Sequence, residues 1–185
     1  MDTRERMVEA TARLLARQGY HATGVAQVLT ESEAPRGSLY FHFPEGKQQM
    51  ASAAIGRLGE QLEGVLRAKL DAKADVKAGL QSIARMFMRQ LEGTDFQLGC
   101  PVATTALEAS AGSPELAAAC ARVFERWTDL LAGRLRQERP RIASPERVAR
   151  TVLALIEGAL ILARARRSTE PLRDAELAIG VLLEG

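Results

Sequence analysis

Apolar residues recur along this chain at intervals of three and four, the spacing that lines one face of an α-helix. In the first segment Met7, Ala10, Leu14 and Leu15 form such a stripe. Asp2 and Glu5 stand three apart before it, the spacing of a capping box, and Gly19 predicts a left-handed stop after it. Thr23 predicts the cap of a short helix carrying Val25, Val28 and Leu29. A break is expected at Glu33-Ala34-Pro35, with Pro35 in the first turn of a third, very short helix running through Ser38 and Tyr40.

Longer stripes follow. Met50, Ala54, Leu58 and Leu62, widened by Ile55, Val65 and Leu66, predict a helix from Lys47 to about Leu70. Val76, Leu80, Ile83, Phe87 and Leu91 predict the next, from about Asp71 to Leu91. Residues 92–99 lack periodicity and hold two glycines, so a loop is expected there. Cys100-Pro101, Ser113-Pro114 and Ser144-Pro145 each place a cap before a proline at the first helical position. The Ser113 helix carries Leu116, Cys120, Val123, Trp127, Leu130 and Leu131, and the Ser144 helix carries Val148, Val152, Leu155, Ala159 and Leu162. A last helix is expected from about Pro171 to Leu183. No stretch alternates apolar and polar residues between turn dipeptides, so the fold class is all-α, with about nine helices.

Composition adds exclusions. At 185 residues and 46% hydrophobic, the chain is long enough to bury a core, which removes disorder from consideration. Two cysteines and no charged-then-apolar leader give the expectation of a cytoplasmic protein without a disulfide framework. No apolar run is long enough to predict a membrane span. His21 has no cysteine or carboxylate at ligand spacing, and no Ser/His/Asp string or glycine-rich phosphate loop occurs, so neither metal, cofactor nor catalytic residues are expected. The formal net charge is only +2, which taken alone argues against a polyanion-binding protein.

The order of elements points the other way. Three short helices in the first 46 residues, followed by long ones over 47–185, suggest a helix-turn-helix head on a helical body. In such a head the second helix of the pair enters the major groove. That helix would hold Arg36 for a guanine edge or phosphate, Ser38 for either, and Tyr40 and His42 for the backbone. Gly37 leaves room for close approach, while Leu39 and Phe43, four apart, face inward. Out of this context Tyr40 and Phe41 read first as packing aromatics.

The string Gly-Ser-Leu-Tyr-Phe-His-Phe at 37–43, with Tyr-His-Ala-Thr-Gly-Val from 20 and Lys47 beyond, resembles the DNA-binding head of the TetR family of one-component repressors. Pro-Glu-Gly-Lys at 44–47 and Gly99-Cys100-Pro101 are further similar to its LmrA/YxaF-like subgroup. The resemblance implies a nine-helix fold and a homodimer on a palindromic operator in double-stranded DNA, released when a small, largely apolar effector binds the body. It implies base or groove contacts from Arg36, Gly37 and Ser38, and phosphate contacts from Thr23, Tyr40, His42 and Lys47. Two positions depart from the family pattern: Glu33 stands where glycine is usual, so the turn is either strained or built differently, and Phe43 to Lys47 is one residue longer.

Pocket candidates in the body are Phe87, Met88, Leu91, Phe96, Cys100, Leu107, Phe124 and Trp127, although a Met and aromatic stripe is more often core than pocket. Ala154, Leu155, Gly158, Ala159 and Leu162 offer a small-residue face for dimerisation. Cys100 at a helix start has two readings, an activated thiol giving a redox-responsive repressor or a small core residue. A helical protein-interaction module is the remaining rival. By region the net charge is 0 over 1–50, −1 over 51–133 and +3 over 134–185, and Arg164, Arg166 and Arg167 read as a solvated helix end.

Overall fold

The computed structural model describes residues 1–184, and no strand occurs among them. The helices are α1 (Thr3–Ala22), α2 (Val25–Glu31), α3 (Ser38–His42), α4 (Lys47–Asp71), α5 (Val76–Gly93), α6 (Pro101–Ala109), α7 (Pro114–Glu138), α8 (Pro145–Arg166) and α9 (Glu170–Leu182). The expected all-α class therefore holds. Among the described residues no helix is long and apolar enough to cross a membrane.

Two compact units divide the chain. The first joins Met1–Gln61 to Cys100–Val123, and the second joins Leu62–Gly99 to Phe124–Gly185. The expected cut at 46/47 is a division by role, whereas these are bodies of mutual packing, and the difference is that α4 as far as Gln61, α6, and α7 as far as Val123 pack with the head.

In the first unit α1 packs against α2 and α6. Its stripe of Met7, Ala10, Leu14 and Leu15 is buried together with Val28, Leu39, Phe43, Met50, Ile55 and Leu116. The capping box forms as expected: Asp2 Oδ1 accepts from Glu5 N–H at 2.7 Å and Glu5 Oε2 accepts from Asp2 N–H at 3.0 Å. Gly59 of α4 lies so close to α7 that a Cβ there would fall 2.6 Å from Val123 Cγ2. In the second unit α9 packs on α5 and α8, and Leu80, Ile83, Phe87, Trp127, Val152, Ile156, Leu172 and Ile179 are buried.

Several local expectations are corrected. Gly19 interrupts α1, but at φ 77°, ψ −178° it is extended rather than left-handed helical, a region open essentially to glycine alone. Gly24, not Thr23, is the N-cap of α2, because the Thr23 hydroxyl is committed to the Gly19 carbonyl at 2.6 Å. Pro35 lies in the turn before α3, where its carbonyl accepts from Ser38 N–H at 2.9 Å. The fifth helix starts at Val76 instead of near Asp71, since Asp75 caps it by accepting from Ala78 N–H at 2.8 Å. Ser113 caps as expected, through Leu116 N–H at 3.1 Å, whereas Ser144 makes no side-chain cap. Val65 is exposed, because Leu62, Leu66 and Leu70 already fill the inward face at that level of α4.

Candidate functional site

The head's outward surface is built by its inward one. Leu39 on α3 and Phe43, the residue that ends it with its N–H on the Leu39 carbonyl, are both buried and anchor the helix. Their burial turns Tyr40 and Phe41 outward, at 70% and 82% exposure. Arg36 and Gly37 are exposed beside them, and Ser38 and His42 are half-buried at the flanks. A Cβ on Gly37 would meet nothing within 4 Å, so its value is the open space it leaves outside. The Phe41 ring meets the His42 imidazole edge-on at 4.9 Å. The result is a short ridge carrying a guanidinium, a hydroxyl, a phenol, an imidazole and one bare apolar ring. Phe41 is the ridge residue that sequence reasoning did not place at a contact; its signal was adjacency to Tyr40 between two buried positions four apart.

The turn before the ridge departs from an ordinary backbone. Glu33 takes φ 52°, so the conformation that glycine provides elsewhere is adopted by a residue with a Cβ. The turn is thus strained. Arg6 Nε secures it from α1 by donating to the Ser32 carbonyl at 3.0 Å.

Thr23 and Lys47 stand differently from the ridge. Thr23 is buried, with its hydroxyl turned to Gly19. Lys47 begins α4, and the extra residue before it is absorbed by Gly46 at φ 70°, whose N–H donates to the Phe43 carbonyl at 2.8 Å. The Lys47 ammonium lies over the Tyr20 ring, 4.3 Å from its centroid. Burial pushes the Lys47 pKa down, and the charge of Glu108 acts against that shift.

Among the expected pocket residues of the second unit, Phe87, Met88, Leu91 and Trp127 are buried, and Phe124 meets Trp127 edge-on at 5.7 Å. Phe87 and Trp127 share one apolar cavity with Leu66, Ile83 and Ile156, of about 10 Å³, room for a single water. Glu157 stands at its lining. Phe96 sits at φ 60° in the loop after α5, beneath the Arg167 guanidinium at 5.7 Å. A larger concavity of about 450 Å³ lies between α4 and α7, but charged pairs such as Arg126 with Glu63 line it, and none of the expected pocket residues do.

In the first unit, Cys100 is the N-cap of α6, its Sγ accepting from Ala103 N–H at 3.5 Å. Cys120 Sγ donates to the Val102 carbonyl at 3.7 Å, and burial pushes this thiol up to about 11. Leu107 is 74% exposed, because α6 spends its inward face on Val102, Thr105 and Ala109. It lines no cavity.

On α8, Ala154, Gly158, Ile161 and Leu162 form an exposed face, and Leu177, Val181 and Leu182 form another on α9. Ala159 does not belong to it: its side chain is buried against its own protomer. The arginines that end α8 are more than solvated. Arg164 donates to the Gln97 carbonyl at 3.0 Å and Arg167 to Asp95 at 2.5 Å, tying down a loop with two consecutive positive-φ residues, Asp95 and Phe96. Among the described residues no group of three or more His, Cys, Asp or Glu is gathered where it would hold a metal.

Comparison with known proteins places both halves of the sequence. Residues 7–54 match the family model described as bacterial regulatory proteins, tetR family, and residues 77–177 match that of the LmrA/YxaF-like transcriptional regulator C-terminal domain. The chain is 33% identical over 183 residues to the HTH-type transcriptional regulator LmrA of Bacillus subtilis, covering 99% of this chain and 97% of that protein. It is 25% identical over 175 residues to the HTH-type transcriptional repressor DhaR of a Mycobacterium species, covering 91% and 86%. In fold it is similar to the crystal structure of reduced Escherichia coli NemR, with a TM-score of 0.85, 23% identity and coverage of 98% and 97%.

Proposed function

The chain belongs to the TetR family of bacterial DNA-binding transcriptional regulators, and from that premise we propose that it is a cytoplasmic homodimeric repressor released from a palindromic operator by a small apolar effector. One observation carries the reading: α3 buries Leu39 and Phe43 and thereby presents Arg36, Tyr40 and Phe41 to the outside. A protein-interaction module would have no need of that mixed polar and aromatic ridge, and the relatives are regulators rather than enzymes.

Each residue has a role in this reading. Arg36 reaches a base edge, where a guanidinium pairs with guanine O6 and N7, and Gly37 permits the approach. Ser38 makes a base or groove contact beside them, while Tyr40 and His42 donate to phosphates and fix register. Lys47 adds a phosphate contact from the start of α4. Thr23 serves the turn between α1 and α2, its hydroxyl being spent on Gly19.

The dimer uses the exposed faces of α8 and α9, each a stripe of small and apolar side chains at helical spacing. Two copies then form a two-fold four-helix interface, and the operator half-sites fall about one helical turn apart, or a multiple of it. The effector enters the apolar region around Phe87 and Trp127. Because the cavity there is only about 10 Å³, binding must open it, and the dimer population shifts only as far as the effector prefers the opened form. Burial of both thiols, and the raised pKa of Cys120, favour this effector reading over a redox one.

Selection from a pool of randomised duplexes tests the proposal. Recovered sequences should converge on an inverted repeat, bind with a steep salt dependence, and bind Arg36→Ala at least about tenfold more weakly. Failure of any sequence to enrich would sink it.

A further inference from the structure

We propose that Glu108 is a positioning residue for DNA binding: by holding the backbone of Tyr20 and His21 it fixes the end of α1 and, through the Tyr20 ring, the ammonium of Lys47. The inference deepens the function proposed above and rests on it. Glu108 lies on α6, far from the head in sequence but within the same compact unit.

The geometry is a clasp. Glu108 Oε2 accepts the Tyr20 N–H at 2.7 Å and the His21 N–H at 3.1 Å. Its own main-chain oxygen lies 2.9 Å from His21 Nε2. The clasp exists because Gly19 leaves helical geometry at φ 77°, ψ −178°, which deprives the following residues of ordinary helical partners. A carboxylate supplies the acceptors, and ion-to-amide hydrogen bonds are stronger than neutral ones. Gly19 also makes the space: a Cβ there would lie 2.2 Å from Glu108 Oε1.

Two consequences run outward from the clasp. Thr23 Oγ donates to the Gly19 carbonyl at 2.6 Å, so the held peptide is also the root of the turn into α2. The Tyr20 ring, one residue on, carries the Lys47 ammonium at 4.3 Å. A lysine head group resting on a fixed ring has already lost the rotamer freedom that a phosphate contact would otherwise take from it. With Glu108 removed, the Tyr20 and His21 N–H groups at the end of α1 lose their carboxylate acceptor and the ring loses its fixed position. Lys47 then returns to an ordinary mobile lysine, and its contribution to phosphate neutralisation falls.

The test uses the full-length protein and the duplex recovered by selection, with affinity measured across a salt series. Glu108→Ala should weaken binding at least about tenfold and flatten the dependence of log K on log salt by about one unit per protomer. Glu108→Gln keeps one oxygen acceptor and should recover most of the affinity. Tyr20→Leu leaves the main-chain clasp intact, removes the π face, and should flatten the slope alike, so the proposal does not depend on how well Glu108→Ala folds. Lys47→Ala added to Glu108→Ala should cost little more, because both act on one contact. Additive losses, or an unchanged salt slope in both Glu108→Ala and Tyr20→Leu, overturn the proposal while leaving the repressor reading standing. A wild-type protein that recovers no duplex overturns both.

Discussion

A Cβ placed on Gly19 would lie 2.2 Å from Oε1 of Glu108, so the residue at 19 and the carboxylate at 108 occupy what amounts to one site. The backbone at 19 is also in a conformation, φ 77° and ψ −178°, that costs other residues about 1–3 kcal/mol. Gly19→Ala should therefore lower stability by at least about 2 kcal/mol, since strain adds to the two hydrogen bonds lost when Glu108 swings away. Urea unfolding measures it. In a Glu108→Ala background the same substitution should cost only the backbone share, and an equal cost in both backgrounds would show that the contact contributes nothing.

Glu33 gives the opposite expectation. Its φ of 52° is unfavourable for a residue with a Cβ by about 1–2 kcal/mol, and it is exposed, so glycine there removes strain and sacrifices no packing. Glu33→Gly should raise the thermal midpoint by a few degrees. The loss of a negative charge beside the ridge should also tighten duplex binding slightly at low salt. A lowered midpoint would mean that the side chain stabilises the turn in a way its exposure conceals.

Cys120 provides a pH-dependent signature. Its ordinary value is 9.0, and burial raises it to about 11, so the folded chain keeps a proton that the unfolded chain has released. The sign follows: the contribution of the neutral thiol is full below about pH 9, drains as pH rises, and is gone above about 11. The ultraviolet absorbance of the thiolate in a Cys100→Ser protein should thus rise with a midpoint well above 9. Titration at the ordinary thiol value would show Cys120 to be open to water.

The exposed apolar faces of α8 and α9 predict the assembly state. Gly158→Arg puts a long cation on the small-residue stripe, and Val181→Glu puts a carboxylate on a valine that is 72% exposed. Neither side chain is part of the protomer's core, so both variants should stay folded by circular dichroism and sediment as monomers. Operator affinity should fall steeply with the dimer, because two half-sites are then no longer bound together. A tight dimer that survives both substitutions would place the interface on another face.

Much of this chain could be read without coordinates where the information is local. The capping box at Asp2 and Glu5, the caps at Cys100 and Ser113, and the burial of Leu39 and Phe43 each depend on residues at most four apart. The same locality explains why the string at 37–43 marked out the helix that carries the exposed ridge. Local pattern and structure part where two local signals compete for one group. Thr23 is a good cap by type, yet its hydroxyl went to Gly19, and Leu107 is apolar yet faces out because Val102, Thr105 and Ala109 claim the inward face of α6.

Sequence alone thus determined the helical class, the ridge on α3 and the family, because periodicity, capping and a seven-residue string are all short-range properties. Only the tertiary structure decided that Glu108 clasps Tyr20 and His21, that Lys47 rests on Tyr20, and that Arg164 and Arg167 bind the loop at 95–97. Those contacts join residues 27 to 88 positions apart. Nothing in the spacing of a single glutamate or arginine indicates which distant backbone groups a broken helix or a strained loop will leave in need of a partner.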